Sequence, residues 1–190
     1  MIISKKIGST SDWWVQHISI HDGDHALKLN SDAAKTDISG DGSLSTPTNQ
    51  VWYGNWNSGL MASTSTTLAY VFTAIPGYAA FGSWVGNQST DGPFIYTNFQ
   101  PRWIMFKNSS TAARDWYLID TTRDPYNEDS SPSLQAIWAN RTTAETNDEH
   151  IDILSNGFKI RTAGLNVNES GDRIIYAAFA ENPFKTARAR

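Results

Sequence analysis

The sequence contains no cysteine, and this absence excludes several classes of site together. Disulfide frameworks, thiolate zinc sites, iron–sulfur clusters and cysteine nucleophiles all require the thiol group. A chain of 190 residues can nevertheless bury a sizeable core without such cross-links. The missing thiols indicate no particular compartment, because a cysteine-free chain is suited to either redox environment.

Charge and long apolar runs are also scarce. Only 18% of the residues are charged, and the formal net charge is −4. Nucleic-acid-binding surfaces are basic, so we expect no nucleic-acid partner. No apolar run approaches the roughly 20 residues that a membrane-spanning helix needs, so we expect no membrane role either.

Helical periodicity is weak, whereas residues that favour strands are plentiful. The chain has 8 Trp, 7 Tyr, 8 Phe and 13 Gly, a mixture typical of strands joined by tight turns. Segments with alternating or short apolar patterns lie at residues 12–20, 67–72, 103–106, 116–119 and 174–179. The pattern predicts an all-β fold, an antiparallel β-sandwich.

Short blocks of the first half recur in the second half at a nearly constant offset. The aligned pairs are residues 2–6 with 104–108, 9–15 with 111–118 (with one inserted residue), 26–30 with 136–140, and 69–72 with 176–179. The offset drifts only from 102 to about 110. We therefore expect two repeated β-sandwich units, at residues 1–76 and 77–190.

The alignment predicts that the first unit is N-terminally incomplete. Residues 77–102 open the second unit, and no counterpart of them precedes Met1. A sandwich without its leading strands exposes unpaired backbone groups, so we expect a neighbouring chain or a longer precursor to supply them. A compact variant that never needed these strands is the alternative.

Several stretches together carry a resemblance to a known family. The densest is 77–99, which contains Phe81-Gly82-Ser83-Trp84-Val85-Gly86 and Gly92-Pro93-Phe94-Ile95-Tyr96. Further stretches are 101–105, Asp115-Trp116, Arg123-Asp124-Pro125-Tyr126-Asn127, 152–159 and 175–185. The chain resembles the domain that recurs in structural, tail-fibre-like proteins of marine and cyanobacterial bacteriophages. This resemblance implies a jelly-roll or concanavalin-like sandwich and a virion location, and it transfers no catalytic motif.

Two clusters are candidate metal sites. His17, His21 and His25 would share one face of a helix, but the alternation here predicts a strand and a solvated hairpin, in which the imidazoles lie too far apart for one ion. Asp37, Asp41, Gly42 and Ser43 resemble part of a calcium loop that lacks its terminal Glu, and turn chemistry explains them equally well. We expect no metal and no cofactor, with bound calcium left open.

An aromatic and amide-rich stretch is the candidate glycan-binding site. Its members alternate with Gly and Ser and are Trp52, Tyr53, Asn55, Trp56 and Asn57. Aromatic rings could stack on sugars while the amides bind hydroxyl groups. The alternatives are that the same residues lie in a subunit interface or fill the core of the sandwich.

An acidic loop is the remaining candidate for catalysis. Asp120, Asp124 and Glu128 could supply the paired carboxylates of a polysaccharide depolymerase, although Arg123 and Pro125 suit an ion-paired turn. We expect no enzyme and no catalytic residue. The predicted function is a virion structural protein that assembles with copies of itself and with other virion proteins. A glycan-binding receptor-recognition module is the alternative, and depolymerase activity is the third reading.

Overall fold

The computed structural model describes residues 1–8, 10–20, 24–38, 57–58, 61–62, 66–123, 127, 134–149 and 151–183. The first eight strands are β1 (Ile2–Lys6), β2 (Trp14–Gln16), β3 (His25–Lys28), β4 (Thr36–Asp37), β5 (Asn57–Ser58), β6 (Met61–Ala62), β7 (Thr67–Val71) and β8 (Ala79–Val85). The next eight are β9 (Phe94–Tyr96), β10 (Pro101–Asn108), β11 (Trp116–Asp120), β12 (Leu134–Trp138), β13 (Thr146–Glu149), β14 (Ile151–Leu154), β15 (Gly157–Ile160) and β16 (Arg173–Ala180).

Helix is almost absent from the described residues. The one helix among them, α1 (Leu165–Asn168), has four residues. None of the described helical residues forms a segment long and apolar enough to cross a membrane. The fold is therefore all-β, as the composition and the alternation of apolar residues predicted.

The named strands pair antiparallel and form four sheets. A five-stranded sheet has the order β4-β3-β2-β1-β7, and a six-stranded sheet has the order β13-β12-β11-β10-β16-β8. A three-stranded sheet, β14-β15-β9, and the small pair β5-β6 complete the set. The five-stranded sheet uses only residues before 72, and the six-stranded sheet uses only residues after 78.

The six-stranded sheet is buried on both faces because alternate side chains of its strands point to opposite sides. One face, which includes Phe106 and Tyr117, packs against Phe158 of the three-stranded sheet. The opposite face, which includes Met105 and Trp116, packs against the five-stranded sheet. The sheets therefore stack as layers, an arrangement consistent with a β-sandwich.

The two large sheets share both strand order and register over five strands. In the first, Ile3 lies opposite Val15 on β2 and opposite Tyr70 on β7. In the second, Met105 lies opposite Leu118 on β11 and opposite Ala177 on β16. The outer strands agree too. Val15 lies opposite Leu27 as Leu118 lies opposite Ile137. Ala26 lies opposite Thr36 as Ala136 lies opposite Thr146. All of these positions except Thr36 and Thr146 lie in the blocks that the sequence alignment matches.

One predicted strand is too long. The alternation predicted a strand over residues 12–20, but β2 ends at Gln16 and residues 18–20 form a turn. The N–H of Ile20 donates to the carbonyl of His17 at 3.1 Å, which closes that turn. His17 is buried, so the predicted solvated hairpin is wrong at this position.

Candidate functional site

Strand β7 forms an edge of the five-stranded sheet. It pairs with β1 on one side, and no described strand pairs with its other side. The N–H of Phe72 donates to the carbonyl of Met1 at 2.9 Å, and the N–H of Ile7 donates to the carbonyl of Thr66 at 2.8 Å. Because backbone groups alternate along a strand, Thr67, Ala69 and Val71 direct their N–H and C=O groups outward.

The edge strand β7 carries apolar side chains and no charge. Its sequence is Thr-Leu-Ala-Tyr-Val, without Lys, Pro or an acidic residue. The side chains of Tyr70 and Val71 are 48% and 66% exposed. Proteins usually protect sheet edges with charge, proline or a bulge. None of these protections is present within β7.

The corresponding strand of the six-stranded sheet has a partner on that side. Strand β16 pairs with β10 on one side and with β8 on the other, along seven register positions from Val85 to Ala79. Gly82 lies opposite Tyr176, where an added Cβ would come within 2.9 Å of the tyrosine ring. Strand β8 therefore lies flat against β16 and fits the Tyr176 side chain closely.

Strand β8 has a partly uncovered outer edge of its own. Ala79 exchanges hydrogen bonds of 3.0 Å with Ile75 on that side, so the beginning of the edge is covered. The N–H of Gly86 faces the other way and donates to Asp172 at 2.9 Å. By alternation, Phe81, Ser83 and Val85 direct their backbone groups outward, and no described strand pairs with them.

A buried histidine lies in the seam between the two large sheets. Nε2 of His17 lies 2.9 Å from the carbonyl oxygen of Tyr176, and Nδ1 accepts from the N–H of Ser19 at 3.2 Å. Since a carbonyl only accepts, the proton is on Nε2 and the ring is neutral. Burial lowers the pKa of His17 to about 4, and the bond to Tyr176 opposes that shift.

A buried lysine lies in the same seam. Nζ of Lys107 donates to the carbonyl of Asp32 at 3.2 Å and to that of Arg114 at 2.5 Å. Burial lowers the pKa of Lys107 to about 8, while Asp32 and Asp115 oppose the shift. Because Asp32 belongs to the loop before β4, this ammonium group joins the first sheet to the second.

An exposed aromatic pair lies on the outer face of the three-stranded sheet. Phe94 and Tyr96 are 46% and 60% exposed, while Ile95 between them points into the core. Gly157 lies opposite Tyr96, so β15 places no side chain directly across from the Tyr96 ring. Tyr96 Oη donates to Asn98 Oδ1 at 2.7 Å, which places an amide at the end of the pair.

Comparison with protein-family models gives one match. The model described as a domain of unknown function, DUF7483, matches residues 1–183. The chain belongs to the DUF7483 family. The match runs across both large sheets, so the DUF7483 domain includes the seam between them. No curated protein and no solved structure matches this DUF7483 chain, and its function must be argued from its own geometry.

The predicted glycan residues fall where this DUF7483 chain is not described. Trp52, Tyr53, Asn55 and Trp56 lie outside the described residues, and Asn57 is described only as part of the backbone of β5. The prediction therefore stays a prediction. The aromatic pair on β9 lies within the stretch that carries the family resemblance. Because Phe94, Ile95 and Tyr96 are all apolar or aromatic, the sequence does not show which of them point outward.

The acidic loop is an ion-paired turn where it is described. Arg123 contacts Asp120 at 2.8 Å and Glu145 at 2.6 Å. Burial raises the pKa of Asp120, but hydrogen bonds from Arg123 and Thr122 outweigh it and leave the pKa below its ordinary value. An ionised Asp120 is poorly suited to act as a general acid. Asp124 and Glu128 lie outside the described residues.

The metal candidates are only partly described. His21, Asp41, Gly42 and Ser43 lie outside the described part of the chain. His17 is buried in the seam and bonded through both ring nitrogens, which leaves no lone pair for a metal. Within the described residues, no group of three or more His, Cys, Asp or Glu side chains could hold an ion.

Proposed function

We propose that this protein is a structural module of a bacteriophage virion, of the fibre, spike or surface-attached kind, that works as an assembled oligomer and not as an enzyme. The observation that carries the proposal is the edge of β7, which is apolar, uncharged and paired on one side only within the described chain. An edge without protective residues is a template for another strand. The resemblance to phage structural domains supports the virion as the place of assembly.

The proposal includes a duplicated unit, residues 1–76 and 77–190, of the jelly-roll or concanavalin-like sandwich type. The shared strand order and registers support it. A hydrogen-bond motif supports it independently of the sheet ladders. Asn30 accepts from the N–H of Trp13 at 2.9 Å and donates to Asp12, and Asn140 accepts from the N–H of Trp116 at 2.9 Å and donates to Asp115.

A lysine contact is repeated in the same way. Nζ of Lys5 donates to the carbonyl of Ser11 at 3.0 Å, as Nζ of Lys107 donates to that of Arg114. Polar contacts of this kind are not required by the alternation of apolar residues, so two unrelated sheets would have no reason to share them. In the proposed duplication, β8 has no counterpart beside β7.

The experiment for the virion role is to find the protein in assembled particles. Particles from a culture that carries the gene are purified by density gradient, and antibody against the recombinant chain is used to label them. We expect a fixed copy number per infectious particle and labelling at one position, which also separates tail from capsid. Protein found in the lysate but not in intact particles would refute the structural role.

The aromatic pair on β9 favours a second candidate function, binding of host surface glycans. Phe94 and Tyr96 offer exposed rings on a flat strand beside Gly157, with the Asn98 amide in reach of a hydroxyl group. This is the division between stacking and hydrogen bonding that sugar sites use. Binding to a glycan array should weaken at least tenfold in Tyr96→Ala and stay unchanged in Leu165→Ala, an exposed apolar control.

The residues predicted from the sequence allow a second, parallel test of glycan binding. Trp56→Ala tests the aromatic stretch that the sequence indicated, independently of β9. Loss of binding in one variant and not in the other would assign the site. If the parent chain bound no glycan on the array and phage adsorption were unchanged in both variants, this second function would be excluded.

A further inference from the structure

We propose that the outer edge of β7 pairs antiparallel with the outer edge of β8 from a second copy of this chain, so that copies join head to tail. The inference rests on the proposed function and names the partner of its assembly edge. The proposed contact joins the five-stranded sheet of one copy to the six-stranded sheet of the next. The resulting sheet would be continuous through β7 and the β8 of the neighbour.

The first argument is the position that β8 already occupies beside β16. The residues of β16 whose backbone groups face β8 are Ile174, Tyr176 and Ala178, since the N–H of Ala180 donates to Tyr78 on that side at 2.9 Å. The aligned residues of β7 are Thr67, Ala69 and Val71, which are the outward-facing ones. Strand β7 therefore offers on its outer side the hydrogen-bonding positions that β16 offers to β8, and β8 of the second copy would meet them with its own outer edge.

The second argument is that both edges are built for pairing. The outward groups of β7 belong to three residues, and those of the uncovered part of β8 belong to Phe81, Ser83 and Val85. Neither strand contains a charged residue or proline. Tyr70, Val71 and Val85 are about half exposed or more, so pairing would also cover apolar side chains.

The third argument concerns which copy-to-copy contact uses both edges. A symmetric contact of β7 with β7 would close as a dimer and leave the edge of β8 uncovered. The contact of β7 with β8 covers both, and because it joins two different surfaces it generates rings or filaments. Such assemblies are the kind that a fibre or spike requires.

Two single substitutions separate these arrangements. Ala69→Pro removes an outward N–H of β7, and Val85→Pro removes an outward N–H of β8; neither donor belongs to the ladder inside its own sheet. Sedimentation velocity of the full chain at micromolar concentration should show oligomers larger than dimers, and each variant alone should be monomeric. An equimolar mixture of the two should form a dimer, because one retains β7 and the other retains β8.

The outcomes are distinct from one another. A parent chain that stays monomeric, or oligomers that persist in both variants, would overturn the β7–β8 contact. Dimers that are lost in Ala69→Pro but kept in Val85→Pro would replace it with the symmetric β7 contact. Failure of this inference leaves the virion role intact, because that role is tested by finding the protein in purified particles.

Folding of the variants is checked by far-ultraviolet circular dichroism and melting temperature. If Ala69→Pro does not fold, Val71→Lys takes its place, since it adds a charge to the exposed edge without touching the backbone. Leu165→Ala is the matched control, a substitution of an exposed apolar residue that lies in α1, outside both proposed edges. It should leave the oligomer distribution unchanged, and a loss of oligomers in this control would also count against the proposed edges.

Discussion

His17 donates through Nε2 to the carbonyl oxygen of Tyr176 across 2.9 Å and so joins the two large sheets of the molecule. Its pKa of about 4 lies below the ordinary 6.5, because burial disfavours the charged ring. The unfolded chain therefore binds the proton more tightly than the folded chain. The stabilisation is complete above about pH 6.5 and is lost as the pH falls toward 4, by up to about 3 kcal/mol.

This pH dependence can be isolated with His17→Gln, which keeps a donor for Tyr176 but does not titrate. Urea unfolding of both proteins is measured at several pH values between 7.5 and 4. As the pH falls through this range, the unfolding free energy of the parent should decrease relative to that of His17→Gln. Parallel curves would show that His17 is not buried and neutral, since the contributions of the carboxyl groups cancel in the comparison.

Lys107 and Lys5 make corresponding contacts but differ in burial, so they form a matched pair for substitution. Lys107→Met leaves the carbonyls of Arg114 and Asp32 without their donor, and we expect a loss of about 2 kcal/mol of unfolding free energy. Lys5→Met removes one hydrogen bond and a cation–π contact with Trp13 at a less buried position, and it should cost about 1 kcal/mol. Equal losses from chemical denaturation would contradict the role of Lys107 in the seam.

Asn140 and Asn30 form a second matched pair. Each asparagine side chain joins an aspartate carboxylate to the backbone N–H of a tryptophan. Asp115 is buried, whereas Asp12 is partly exposed. Asn140→Ala should therefore cost about 2 kcal/mol, and Asn30→Ala about 1 kcal/mol. Thermal unfolding of the two variants under one condition measures the difference. The reverse order would indicate that the burial of Asp115 does not decide the energy.

Gly86 is a position where a side chain cannot be accommodated. A Cβ there would collide with the backbone of Glu169 and Asn168, so Gly86→Ala should destabilise by about 3 kcal/mol. Gly171 is the control: a Cβ would enter open space, and only its φ of +84° opposes the substitution. Gly171→Ala should cost about 1 kcal/mol, as measured by the shift in denaturation midpoint.

The sequence predicted the strands well where packing and periodicity act together. The segment 67–72 was predicted from alternation and contains β7, and 174–179 lies within β16. The failure at residues 18–20 has a local cause: a side-chain bond between His17 and the N–H of Ser19 accompanies the turn, and the alternation of Ile18 and Ile20 does not reveal it. Ile18 is exposed, and Ile20 is buried.

The seam was not predictable from the sequence. Lysine is almost never fully buried without partners, so a composition argument places Lys107 at the surface. One carbonyl partner, Arg114, lies in the loop that follows β10, but the other, Asp32, is 75 residues away in the sequence, and no spacing rule identifies it. The aligned blocks predicted missing leading strands, and this stays a prediction, since the structure shows only that no described strand pairs with the outer side of β7. The exposed pair Phe94 and Tyr96 required knowledge of which face of β9 points outward.

The packing of the five-stranded sheet on the six-stranded sheet also determines when, during translation, the apolar face of the first sheet can be covered. Val15 and Leu27 are covered by Met105, Trp116 and Ile175, which are translated later. Ile175 leaves the ribosome roughly a hundred residues after Val71, a delay on the order of 10 s at about 5–20 residues per second. Throughout that delay, nascent chains on one messenger present the same uncovered apolar face to each other. Translation speed in this interval should therefore govern how much of the product folds within one chain.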